Sequence, residues 1–252
     1  MTTFAEQYGP WAVVAGASDG VGASVARLLG TRGVNVVLVA RREEVLQQVA
    51  ATVVTETRTV ALDLSEPGAD ASLAAATHDL EVGLLVYNAG ADPYSSRFLD
   101  QPLDAWAALV QRNVNTVLGA CHRYGSTLAE RGHGGIVLVT SGAAWAGGAR
   151  VVAYSASKAF DLILGESLWA ELAPNGVDVL SMVLGPTDTP AFRKVLRGRD
   201  FDGIADPDDV ARDMLDHLAD GPTWPPGGSP FGALPRRDAV TMMSQGTAFL
   251  AD

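Results

Sequence analysis

Six short apolar runs, rich in β-branched residues, punctuate the chain at 11–15, 34–40, 59–62, 84–87, 136–139 and 177–183. Each is bounded by Gly, Asn or Pro, and none alternates between apolar and polar residues. That is the pattern of strands buried on both faces of a sheet. Between them, helical spacing marks 21–32, 43–52, 68–79, 104–131 and 154–173. Strand and helix alternating at this distance build right-handed βαβ units, so the fold class is α/β, a doubly wound parallel sheet with helices on both faces. At 252 residues, 48% of them hydrophobic, the chain fills one such domain, and no repeat or boundary divides it.

The alternation stops near residue 185, and the segment 189–252 is atypical. Short helices are expected over 189–199 and 207–218, and an amphipathic helix over 236–250. Between them, 221–235 is too rich in Pro and Gly for an element interior, so no seventh strand is expected there. That loop either folds over a substrate crevice or a subunit interface, or packs on its own surface.

The first run leads directly into Gly16-Ala-Ser18-Asp19-Gly20-Val21-Gly22, and a helix follows. A glycine loop between strand and helix lets backbone N–H groups approach a pyrophosphate, which predicts a dinucleotide-binding sheet of Rossmann type. A plain tight turn is the alternative. At the end of the second strand, where an acid selects NAD, the sequence has Arg41 and Arg42. Two cations there favour the 2′-phosphate of NADP(H), with NAD(H) possible; otherwise both arginines are simply solvated. Asp19 must point away from any phosphate.

Tyr154 and Lys158 stand four residues apart, on one helical face. A free phenol titrates near ~10, too high for a base at neutral pH, and a nearby ammonium in a dry site favours the phenolate. A bare Y-x-x-x-K is common by chance, but other polar residues gather around it. Ser141 follows the fifth run, at a strand's carboxyl end, where open α/β sheets bind ligands. Asn113 falls on the apolar stripe Trp106, Val110, Val117, Cys121 and Leu128, and is either a site residue or a satisfied core amide.

Taken together, these residues resemble the short-chain dehydrogenase/reductase family over about residues 9–200. The loop GASDGVG, Asn88-Ala89-Gly90 after the fourth strand, and Asp63-Leu64 are similar to the family's cofactor-binding motifs, Asp63-Leu64 corresponding to the adenine contact. Asn113, Ser141, Tyr154 and Lys158 match its catalytic tetrad in order and spacing. Gly185, Thr187 and Thr189 fall in its carboxamide-holding segment, with Leu184 where a proline is usual. Within the family, the chain looks like the NADPH-dependent 17β-hydroxysteroid and 3-oxoacyl-thioester reductases.

The resemblance implies hydride transfer to a ketone, steroid or 3-oxoacyl thioester. Ser141 would hold the substrate oxygen, Tyr154 would deliver the proton, Lys158 would hold the ribose, and Asn113 would fix a water. It also implies a homodimer or homotetramer paired through helices 104–131 and 154–173. Ala120, Leu128, Leu162, Leu168 and Trp169 are expected to be too many to face inward. A cofactor sensor without turnover is the alternative function. The substrate pocket is expected around 91–94, 143–145 and beyond Thr189.

A net charge of −11 argues against nucleic acid and anionic membranes as partners. A single cysteine, Cys121, suits a reducing cytoplasm. No signal peptide, membrane span or metal-ligand spacing among His78, His122, His133 and His217 is expected.

Overall fold

Seven strands form one parallel sheet: β1 (Trp11–Ala15), β2 (Asn35–Ala40), β3 (Thr57–Ala61), β4 (Val82–Tyr87), β5 (Gly134–Ser141), β6 (Val177–Leu184) and β7 (Thr223–Trp224). The computed structural model describes residues 2–226 and 245–246. The spatial order is β3-β2-β1-β4-β5-β6-β7, so the direction of winding reverses between β1 and β4. At that reversal Ala15 is in register with Tyr87, and the loops that follow the two strands leave the sheet as neighbours. Such a switch point opens a crevice beyond the strands' carboxyl ends.

Side chains alternate across the sheet and supply two cores. Ala12 and Val14 of β1 join Val36, Leu38 and Met182 on one face, under α2 (Gly20–Thr31) and α9 (Pro207–Asp216). Trp11, Val13 and Ala15 join Val37, Leu85 and Ile136 on the other, under α4 (Ala69–Ala76), α6 (Thr116–Arg131) and α7 (Val152–Leu172). Every residue of β1 and β4 is buried, as the unbroken apolar runs require. Each large apolar side chain so covered contributes about 1.5–3 kcal/mol. The remaining helices are α1 (Phe4–Tyr8), α3 (Glu43–Ala50), α5 (Leu103–Val110) and α8 (Pro190–Leu196).

Several expectations need correction. The helix foreseen over 104–131 is interrupted: a π turn over Gln111–Asn115 joins α5 to α6. The extra residue breaks the helical phase, so α5 buries Trp106 and Leu109 while Val110 is exposed. Helix α1 was not foreseen, although Thr3 and Glu6 form a capping box that the sequence displays.

A seventh strand does exist. Thr223–Trp224 pairs with β6 at the sheet edge, where flanking prolines are tolerated because half the backbone groups need no ladder partner. The Trp224 indole donates to Asp213 Oδ2 at 2.9 Å and stacks on His217 at 3.7 Å. The foreseen helix over 236–250 and the loop beyond residue 226 lie outside the described residues.

Of the five residues taken as surplus to the core, Ala120, Leu128 and Leu162 are buried and Leu168 packs against the second face. Trp169 is exposed, together with Leu118, Val152 and Ile163. Among the described residues, no helix is long and apolar enough to cross a membrane.

Helix α7 lies close on the sheet because Gly165 faces β6. A Cβ there would meet Ser181 Oγ, which donates to the Leu162 carbonyl. Helix propensity alone favours Ala over Gly by about 1 kcal/mol. Packing reverses the sign. Gly165→Ala is expected to lose about 1–3 kcal/mol in urea unfolding, and a gain in stability would refute this packing.

Candidate active site

The glycine loop is built by contacts that only glycine allows. Gly16 turns with φ +83°, and its N–H and that of Ala17 both donate to the Val39 carbonyl, at 2.8 and 3.1 Å. Across the switch point, the N–H groups of Asn88 and Ala89 donate to the Ala15 carbonyl at 3.0 and 2.9 Å. The Asn88 side chain donates to the Gly16 carbonyl at 3.0 Å. A Cβ at Gly22 would meet that same carbonyl and, at 2.7 Å, the Asn88 amide nitrogen. Asn88 and Ala89 therefore hold the loop's shape from below.

Val21 and Gly22 sit buried in the first turn of α2, after Gly20. The helix has Asp19 at its N-cap, yet no side chain caps its first N–H groups. Those donors are the ones a phosphate would take. The Asp19 carboxylate turns to Arg42, at 3.0 Å, with the Ser18 hydroxyl 3.4 Å away, as the electrostatics demand. Arg41 lies 4.0 Å from Asp63, and its side chain is 71% exposed.

Asp63 closes this end of the site. Burial pushes its carboxyl up, but bonds from the Ser65 hydroxyl and amide, with the charges of Arg41 and Arg112, outweigh burial and hold it below the ordinary range. Leu64 is buried, and its carbonyl accepts from Thr116. Thr189 caps α8 and lies against Gly20, bringing the late segment to the glycine loop. Thr187 bonds the Gly185 carbonyl at 3.1 Å and bridges to Ala205.

Two of the tetrad candidates, Ser141 and Lys158, meet the carboxyl half of β5. Ser141 ends the strand, half-buried, with Oγ accepting from the Ala143 amide at 3.2 Å. Tyr154 is half-buried in the first turn of α7. Lys158, one turn on, is 3% exposed, and its ammonium donates to Val139 O at 2.8 Å and Asp161 Oδ2 at 2.9 Å. It lies against Gly90, where a Cβ would come within 2.6 Å of Nζ.

Asn113 is fully buried in the π turn. Its amide donates to Gly90 O at 3.1 Å and Ser157 Oγ at 3.0 Å, while Oδ1 accepts from Arg112 at 3.0 Å. Both alternatives for this residue thus meet: it is satisfied, and it belongs to the site. Both of its side-chain N–H groups are bonded to protein, so the side chain ties the Gly90 loop to α7.

Two residues escaped the sequence reading. Arg112 donates to Ala91 O at 2.7 Å, and burial pushes its guanidinium below the usual value. Nothing in its neighbourhood in the sequence marks it. Asp161 does carry a signal, because it lies seven residues after Tyr154 and three after Lys158, on one helical face.

Aromatic pairs stand beside two of the segments expected to line the pocket, 91–94 and the stretch beyond Thr189. Trp106 stacks with Phe98 at 5.6 Å and meets the edge of Tyr94 at 5.3 Å, while Phe192 and Phe201 meet edge to face at 5.7 Å. Ala144, Val183 and Leu162 form a small apolar cluster with Trp145 packed against it.

A family profile for short chain dehydrogenase matches residues 10–200. The chain is 35% identical over 202 residues to a 7beta-hydroxysteroid dehydrogenase of Collinsella aerofaciens, covering 77% of this chain and 74% of that protein. It is also 35% identical to the human inactive hydroxysteroid dehydrogenase-like protein 1, over 71% of this chain and 56% of that one. Among solved structures, one concerning 7beta-hydroxysteroid dehydrogenase stereoselectivity superposes with a TM-score of 0.87 at 28% identity, over 96% of this chain and 99% of that one. A short-chain dehydrogenase from Sphingobium yanoikuyae in complex with NADPH gives 0.79 at 27%, over 95% of each.

The close approach at Gly22 makes a test. Gly22→Ala is expected to cost about 1–3 kcal/mol of stability by prising the two loops apart. Gly147→Ala, where a Cβ meets nothing within 4 Å, should stay within about 0.5 kcal/mol of the parent. Equal effects in thermal unfolding would overturn the assignment.

Proposed function

The chain belongs to the short chain dehydrogenase family, and from that premise we propose that it moves a hydride between NADP(H) and the carbonyl or secondary alcohol of an apolar small molecule. The observation that carries this reading is a buried ammonium, Lys158, lodged between Gly90 and Val139 one helical turn from Tyr154. Dinucleotide binding is supported by the start of α2, where Asp19 makes no capping bond, and by the glycine loop that leads into it. Arg41 and Arg42, in place of an acid after β2, favour NADP(H) over NAD(H).

When bound, the nicotinamide supplies or receives the hydride. Ser141, at the carboxyl end of β5, holds the substrate oxygen through its hydroxyl. Tyr154 gives that oxygen a proton in reduction and takes one in oxidation. The Lys158 ammonium has three N–H donors; Val139 and Asp161 occupy two, and the third is left for a ribose hydroxyl. Asn113 ties the Gly90 loop to α7 and keeps the ammonium's surroundings rigid.

The 7beta-hydroxysteroid dehydrogenase relatives make a hydroxysteroid, or a ketone of similar bulk, the first substrate class to test. The aromatic side chains of Tyr94, Phe192 and Phe201 suit such a partner. A cofactor-binding regulator without turnover is the rival reading, kept in view by the inactive human relative. Exposed Leu118, Ile163 and Trp169 on α6 and α7 support a homodimer or homotetramer.

Purified chain with NADPH or NADH should be screened against steroid ketones, 3-oxoacyl thioesters and aldehydes. Tyr154→Phe is expected to lower turnover at least about 100-fold while leaving NADPH affinity nearly intact. Substantial turnover by that variant would remove Tyr154 from the proton-transfer role, and a parent inactive on every one of these substrates would favour the regulator. Arg41→Ala should weaken NADPH by about 1.5–3 kcal/mol more than NADH, whereas equal losses would remove the case for NADP.

A further inference from the structure

Lys158 does not sit alone in its buried pocket. Asp161, 2% exposed, faces it from the next turn of α7 and receives its ammonium on Oδ2 at 2.9 Å. The other oxygen, Oδ1, is buried and has no hydrogen-bond partner among the described residues. Burying both charges is costly, and an apolar pair of similar volume would pack there without that cost. We propose that Asp161 is a positioning residue of the hydride-transfer site, holding the Lys158 ammonium against Val139 and Gly90 and setting, through its charge, the pH range in which Tyr154 exchanges its proton.

The groups packed around the carboxylate leave this role to the Lys158 pair. From β4, Tyr87 faces it, and from α6, Cys121. Burial pushes both of these upward, the thiol to about 12, so both are neutral at working pH. Arg112 acts on Tyr87, whose phenol donates to the Arg112 carbonyl. Burial pushes the Asp161 carboxyl up, and the charge and hydrogen bond of Lys158 oppose that rise.

Geometry gives the positioning. Three neighbours locate Nζ: Val139 O, Asp161 Oδ2 and the side-chain-free face of Gly90. Charge gives the tuning. A carboxylate beside the ammonium cancels part of the positive field reaching Tyr154, and removing that charge would favour the phenolate. The proposal rests on the hydride-transfer reading above, and its test has a readout that needs no turnover.

Asp161→Asn keeps the size and an acceptor oxygen but removes the charge. For alcohol oxidation, the acid limb of the kcat/KM profile should move to lower pH by about one unit, with the plateau several-fold lower. In parallel, ultraviolet difference titration against the corresponding Tyr154→Phe protein follows the phenolate directly, with or without NADP. Its midpoint should fall in step. An unmoved midpoint, or one displaced upward, overturns the proposal and leaves Asp161 a structural counter-ion. A parent that turns over no ketone sinks the hydride-transfer reading, while the titration still decides the role of Asp161.

If the Asn variant does not fold, Lys158→Met tests the pair from the other side. Burial then acts on Asp161 unopposed, and a carboxyl raised in the folded state stabilises at low pH and loses that stability as pH rises. The melting temperature of Lys158→Met should therefore fall, relative to the parent, between about pH 5 and about pH 8. The double variant with Asp161→Leu should not show the fall. A flat profile for Lys158→Met overturns the proposal.

Discussion

Where β1 and β4 run side by side, one carbonyl oxygen, that of Ala15, accepts from two successive amides of the other strand's loop. Asn88 then reaches back to the next carbonyl along, Gly16. This small lattice of backbone bonds fixes two loops against each other at the point where the sheet changes winding direction. The glycine loop keeps its left-handed turn because of it, and Gly90 comes to rest over the Lys158 ammonium. Without that backing, neither a phosphate cradle nor a seat for the lysine would have a defined shape.

Charge is handled differently at the two ends of the crevice. At the outer end, Asp19 with Arg42 and Asp63 with Arg41 are exposed pairs, each worth little to stability and free to rearrange toward a ligand. At the inner end, Lys158 and Asp161 are both buried, and each charge depends on the other. A surface pair can be exchanged at small cost. Removing one half of a buried pair leaves an uncompensated ion, which gives the inner end its rigidity.

Much of this was legible in the residues. The six longer strands, the glycine loop and the Tyr154–Lys158 helix followed from pattern, although β3, at the sheet edge, has no buried residue where cover on both faces was expected. What escaped depends on tertiary context. The two-residue β7 is too short to show a period, and β6 and Asp213 hold it. The π turn has no composition of its own. Arg112 and Asp161 draw their meaning from neighbours distant in sequence: Ala91 for one, the β5 carbonyl that anchors Lys158 for the other. Asp161 alone left a trace, an acid on the buried face of a helix.

The π turn at Gln111–Asn115 also changes what chain length means in this region. It holds one residue more than an α-helical turn, and that surplus is what sets the angle between α5 and α6 about their common axis. Deleting a single residue there would scarcely shorten the rod. It would let a regular α-helix take the place of the π turn with the downstream faces kept. Drawing all five residues out as α-helix, by contrast, would turn everything downstream by about 100°, carrying Val117 and Cys121 off the sheet. These five positions therefore absorb a mismatch in length between α5 and α6, and the buried Asn113 sits in the turn that does so.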